Sequence, residues 1–164
     1  MGFIVSGGGT IKPVFKQNTS FDLTGVTLKS VMYDALIEAG TLKENDILTI
    51  ISHFTCTSNA NVKTVEVYFN TTPDLSGTPI LIGVRTLTSI AGSAFIRSVV
   101  FKNSLTSQGV ITNLLQYAND ENVTQNQILI NANFNVNQYI VVAGQLANAT
   151  DVVTLNNITS QINR

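Results

Sequence analysis

His53 and Cys56, each the single residue of its kind, are the first side chains in this sequence that could do chemistry. An imidazole beside a thiol can draw off its proton and leave a nucleophilic thiolate. The segment Asp46 to Cys56 alternates with period two, as a β-strand does, and residues three apart in a strand point to opposite faces. Cys56 shares its face with Leu48, Ile50 and Phe54, where a free thiol packs as a small apolar group. No catalytic role is expected of the pair. A metal site would need carboxylates besides these two, and no Asp-x-Asp or His-x-x-x-His spacing supplies them, so neither metal nor cofactor is expected.

Two carboxylates facing each other across a cleft at roughly 5 to 10 Å would point to glycoside hydrolysis. The ten acids are spread thinly: Asp22, Glu44, Asp74, Asp120 and Glu121 occupy turn or arm positions, and Glu66 stands on a strand face. The expectation is a chain that is not an enzyme, with polysaccharide hydrolysis kept as an alternative. Gly7, Gly8 and Gly9 could suggest a phosphate cradle, but the chain continues through Ile11 and Lys12 to Pro13 as extended structure rather than opening a helix.

Asn131, Asn133, Asn135 and Asn137 recur at period two, opposite Ile130, Ala132 and Phe134. If the strand runs through them, four amides line one face and offer paired donors and acceptors to sugar hydroxyls or to a second protomer. A solvent-facing polar row is the plainer reading. Trp is absent, so an aromatic platform for a glycan would have to come from a tyrosine such as Tyr68.

The elements that must position these residues are short strands. Lys63 to Phe69 sets Val65, Val67 and Phe69 against Thr64, Glu66 and Tyr68; Ile80, Ile82 and Val84 repeat the pattern, as do Ile128, Ile130, Ala132 and Phe134. Phe95 to Phe101 and Tyr139 to Leu146 are apolar on both faces, as in a central strand or one covered by a partner chain. Val110 to Tyr117 is the best helical candidate. Turn residues fall at Glu44 to Asp46, Thr57 to Asn61 and Asn70 to Pro79. Eight or nine such strands close most economically as an all-β antiparallel sandwich, jelly-roll-like, over residues 21–164. Residues 1–20 form a short N-terminal arm, with Gly7, Gly8, Gly9 and Pro13 as its attachment element.

Composition narrows the function. Charged residues make up 12% of 164, about half the usual supply, and 18 Asn and 20 Thr take over the polar surface. A net charge of −1, with basic residues scattered singly from Lys12 to Arg164, disfavours nucleic acid as a partner. No apolar run approaches the 18 or so residues of a membrane span.

Three stretches together resemble a β-sandwich module of bacteriophage virion proteins, found at the ends of head or tail fibres. They are Ala35-Leu36-Ile37-Glu38-Ala39-Gly40-Thr41-Leu42-Lys43-Glu44-Asn45-Asp46-Ile47-Leu48, then Val67 to Thr72 leading into Leu75-Ser76-Gly77-Thr78, and finally Asn137 to Ala143. The resemblance covers roughly residue 26 to the C-terminus. It implies a jelly-roll domain that assembles as a homotrimer on the particle and carries no catalytic residues. The expected role is a capsid-associated decoration or head-fibre protein, a structural component of the virion assembled in the host cytoplasm. Its partners would be identical copies and other virion proteins such as capsid or fibre base. A tail-fibre or receptor-binding module that contacts a host surface glycan is the alternative.

Overall fold

The computed structural model describes residues 11–88, 92–102, 104–112 and 127–164. Eleven strands occupy them: β1 (Ile11–Gln17), β2 (Phe21–Thr24), β3 (Ser30–Ile37), β4 (Ile47–Cys56), β5 (Lys63–Asn70), β6 (Ile80–Leu87), β7 (Gly92–Val100), β8 (Gln108–Thr112), β9 (Gln127–Ile130), β10 (Gln138–Leu146) and β11 (Val152–Asn163). One sheet runs β1-β11-β4-β7-β8-β9, with β2 also on β11; the other runs β3-β10-β5-β6. All these pairings are antiparallel. Four strands of one sheet, in the order β1-β11-β4-β7, lie over β3-β10-β5-β6, which is a jelly roll widened at one edge by β8 and β9.

Alternation builds the interior. Leu48, Ile50 and Phe54 of β4 and Leu155, Ile158 and Ile162 of β11 face Val65, Val67 and Phe69 of β5 and Ile140 and Val142 of β10, all within one core cluster. The second face of β10 is buried too: Val141 and Ala143 pack with Tyr68, Leu75 and Tyr139 on the outside of the smaller sheet. Asn45 takes a left-handed backbone (φ 69°) in the turn before β4, as its residue type permits. Asp46 beside it is buried, accepts from the Lys43 N–H at 2.9 Å and pairs with Arg164 at 3.2 Å.

Four expectations change. The stretch read as an arm includes β1, which pairs with the far half of β11 while β2 pairs with the near half. Pro13 lies in this edge strand beside a bulge, where a missing N–H is tolerated; Gly7, Gly8 and Gly9 lie outside the described residues. In β6 a bulge at Ile82 reverses the alternation, so Val84 turns outward while Arg85 and Leu87 turn in. The helical candidate begins with Val110 to Thr112 already in β8, and residues 113–117 lie outside the described ones. β9 stops at Ile130, so the asparagine row is not a strand ladder.

The inner face of β7 carries Arg97 between Phe95 and Val99, and only 2% of it is exposed. Its Nε donates to the Ile82 carbonyl (3.1 Å), its Nη1 to the Ile96 carbonyl (2.9 Å), and its guanidinium lies 4.2 Å from the Phe95 ring centre. That stack fits because Gly83 faces it: a Cβ there would sit 2.5 Å from Phe95 Cζ and 2.6 Å from Arg97 Nε. Gly83→Ala should therefore destabilise the fold by about 1–3 kcal/mol through overpacking, read as a lower urea midpoint at unchanged slope.

Candidate functional site

At one end of the sandwich, the last residues of β5, the first of β6 and β10, and the segment after β9 enclose a cleft of about 190 Å³. Phe69, Ile80 and Ala132 supply its apolar lining. Asn70, Thr71, Thr78, Asn131, Asn133 and Gln138 line the rest, and none carries a charge.

The segment after β9 keeps its alternation although it leaves the sheet. Ala132 and Phe134 are buried and Asn131, Asn133 and Asn135 exposed, because side-chain amides replace the lost ladder. Gln108 pairs with the backbone of Ala132 in both directions, Nε2 donating to its carbonyl (2.9 Å) and Oε1 accepting from its N–H (3.2 Å). Gln138 Nε2 donates to the Asn133 carbonyl at 2.9 Å, and the Phe134 N–H reaches the Leu105 carbonyl at 2.8 Å. Phe134 then meets Phe69 and Phe101 edge-on, with ring centres 5.0 and 4.9 Å away.

Opposite, Asn70 organises the β5–β6 connection. Its Nδ2 lies 2.7 and 2.8 Å from the carbonyls of Asp74 and Ser76, and its Oδ1 accepts from the Thr71 N–H at 2.9 Å. Asp74 Oδ1 accepts from the Ser76 N–H (2.9 Å), the Ser76 hydroxyl (2.5 Å) and the Thr72 hydroxyl (2.8 Å). These bonds, the Ser76 hydroxyl first, hold the Asp74 carboxyl below its ordinary range.

Of the residues singled out in the sequence, Asn131 and Asn133 line the cleft. Asn135 is exposed beside it and donates its backbone N–H to Asn133 Oδ1 at 3.0 Å. Asn137 turns away, accepting from the Ala39 N–H at 2.9 Å. Tyr68 lies elsewhere, on the outer face of the smaller sheet. It is only 8% exposed; its hydroxyl donates to Glu66 Oε2 (2.7 Å) and accepts from Lys29 Nζ (3.2 Å), so it offers no open ring to stack on. Lys29 and Glu66 form an ion pair at 2.5 Å, which raises the lysine's affinity for its proton, while burial, with Glu66 adding to it, raises that of the Tyr68 hydroxyl.

His53 and Cys56 diverge as the spacing requires. The imidazole is on the outer face, 2.7 Å from Asn157 Oδ1; the thiol packs against the core, and desolvation raises its pKa. Sequence reading passed over Asn70, Gln108 and Gln138. Only the position of Gln138 next to the two-faced apolar run Tyr139 to Gly144 hinted that its amide would be buried.

No protein-family model matches the chain, and no curated protein matches it in sequence. Among solved structures, it is similar to a Bacteroides thetaiotaomicron protein provisionally described as sugar-binding, at TM-score 0.46 and 11% identity over 96% of this chain and 83% of the other. Peanut lectin follows at TM-score 0.37 and 6% identity, over 98% and 94%. The infectious bursal disease virus VP2 subviral particle gives TM-score 0.32 and 11% identity, over 95% of this chain and 41% of VP2.

The Asp74 bonds carry a pH signature. A carboxyl held below its unfolded value, about 3.9, contributes stability that is present above that value and lost as pH falls through the lower folded one. The Ser76 amide resonance should therefore stay constant from neutral pH down to the ordinary carboxylate range and move only below it; Asp74→Ala should abolish that acid transition in an NMR titration.

Proposed function

We propose that this domain is a non-enzymatic structural component of a bacteriophage particle, a capsid-associated decoration or head-fibre domain working as a homotrimer. It is assembled with the virion in the host cytoplasm and held to capsid or fibre-base proteins. What supports contact as its mode of action is the outer face of β3-β10-β5-β6. Cross-strand register sets Val31 and Leu36 of β3 and Leu81 of β6 on that face, at 38%, 40% and 43% exposure. They flank the already buried Tyr68, Val141 and Ala143 and the half-buried Val84 and Tyr139. Lys29 and Glu66 satisfy each other there, which lowers the cost of covering the face, while Asp34 stays exposed beside Val141. Apolar residues gathered in this way are characteristic of interfaces. Identical copies are the partner the reading names, since the low charge leaves little to oppose self-association.

A second reading, an adhesion module for a host surface glycan, is favoured by the uncharged lining of the cleft between Asn70 and Gln138.

Sedimentation of the purified chain should give a trimer. Leu36→Asp combined with Leu81→Asp should give a folded monomer with an unchanged far-ultraviolet circular dichroism spectrum. A wild-type monomer at tens of micromolar would overturn the oligomer, and absence of the domain from density maps of whole particles would overturn the virion role.

A further inference from the structure

We infer that Lys63 and Asn59 become joined by a side-chain amide bond, formed by the folded chain itself with Asp151 moving the protons. This modification site is independent of the virion and adhesion readings. The three residues meet where the connection between β4 and β5 passes the start of β11. Lys63, the first residue of β5, is fully buried, and Asp151, just before β11, is 1% exposed. A lysine withdrawn from water ordinarily faces a carboxylate at ion-pair distance. Among the described residues Lys63 makes no such pair; the Asn59 amide is bonded to the amine on one side and to the carboxylate on the other.

The amide is presented as an electrophile. Lys63 Nζ lies 2.5 Å from Asn59 Oδ1 and 2.9 Å from the Asn61 carbonyl oxygen. Asn59 Oδ1 also accepts from the Asn61 N–H at 3.0 Å, so a backbone donor is already aimed at the oxygen on which charge would develop. Asn59 Nδ2, the leaving group, donates to Asp151 Oδ1 at 2.6 Å. Asp151 Oδ2 is buried and makes no hydrogen bond, which leaves the carboxylate a free acceptor. The Asn59 amide first, against the effect of burial and with the Asn61 amide and the Lys63 charge adding to it, holds the Asp151 carboxyl below its ordinary range, so it is ionised and can take up a proton.

The step needs no further reactant. Lys63, as the free amine, adds to Asn59 Cγ; the Nζ–Cγ bond forms and negative charge passes to Oδ1, where the Asn61 N–H receives it. Nζ and Nδ2 then share one carbon, so the carboxylate that touches Nδ2 also reaches Nζ. Asp151 takes a proton from Nζ and delivers it to Nδ2. The Cγ–Nδ2 bond breaks, its electron pair leaves with ammonia, and the carbonyl reforms. Nothing is oxidised or reduced. The new amide keeps one N–H for the Asn61 carbonyl and its oxygen for the Asn61 N–H, so both bonds to Asn61 survive. Fixing amine and amide in contact removes the entropic cost of their encounter, and the short stretch from Asn59 to Lys63 closes into a ring at little further cost.

The test is intact-mass spectrometry of the full chain, which should give a mass one ammonia below that of the sequence, complete at isolation or growing on incubation. Tryptic fragmentation should place the loss in a peptide left uncut after Lys63, with Asn59 and Lys63 linked. Lys63→Arg, which keeps a cation and its donors, should retain the full mass. Asp151→Asn should slow the loss about a hundredfold. Both variants are checked for folding by circular dichroism, and fragmentation of the wild-type chain decides the bond whether or not they fold. A wild-type chain that keeps its full mass after prolonged incubation would overturn the inference. So would an ammonia loss that persists in Lys63→Arg or is reversed by hydroxylamine, since that marks a succinimide at an asparagine. Loss at the wild-type rate in Asp151→Asn would overturn the role given to the carboxylate.

Discussion

Two apolar faces have to close on each other before any other group in this chain can be placed. Leu48, Ile50, Phe54, Ile158 and Ile162 on one side and Val65, Val67, Phe69, Ile140 and Val142 on the other are all within 1% of full burial. Each such side chain contributes about 1.5–3 kcal/mol by leaving water, which offsets the conformational entropy lost in ordering long antiparallel strands. The closeness of that contact dictates what else the interior accepts. Gly83 and Gly144 stand where a methyl group would strike Phe95 or Leu23 across the slab, at 2.5 and 2.7 Å. Arg97 is admitted because two backbone carbonyls and an aromatic ring receive its guanidinium.

The same closure shapes the candidate site. Where the slab ends, Phe69, Phe101 and Phe134 lock edge to face, and the chain after Ile130 must follow them without a neighbouring strand to bond. Its backbone groups are buried all the same, so glutamines and asparagines take over the hydrogen bonding. An amide recruited to satisfy a carbonyl brings polar, uncharged surface with it, and Gln138 and Asn133 both line the cleft. The uncharged lining thus follows from how the fold repairs the end of a sheet.

The sandwich was legible because period-two alternation survives burial. Val65, Val67 and Phe69 and the even positions of β4 lie inside as their spacing requires, and the two-faced apolar pattern of Tyr139 to Leu146 marks a central strand. Single-residue bulges were not legible. The one at Ile82 costs nothing visible in the sequence, yet it reverses Val84 and Arg85. Pro13 lies in an edge strand beside a bulge, where proline is tolerated, so its presence does not tell an arm from a strand. The asparagines are exposed as their spacing requires, but the condition of a continuous strand is not met, since Ala132 and Phe134 alternate inward with Gln108 in place of a partner strand. The buried roles of Gln138 and Asn70 were not legible because a buried amide looks like any surface amide until its partners are known.

β11 is the strand on which β1, β2 and β4 all depend, along pairings that reach back from Asn163 to Ile11. During synthesis those earlier strands emerge from the ribosome before their shared partner, and the edges that β11 pairs with wait for residues 152–163. Closure thus joins residues as far apart as Ile11 and Asn163, slow in the manner of high-contact-order β-proteins. Until then the nascent chain carries unpaired apolar strands that invite wrong partners, a hazard that grows with the number of copies made at once.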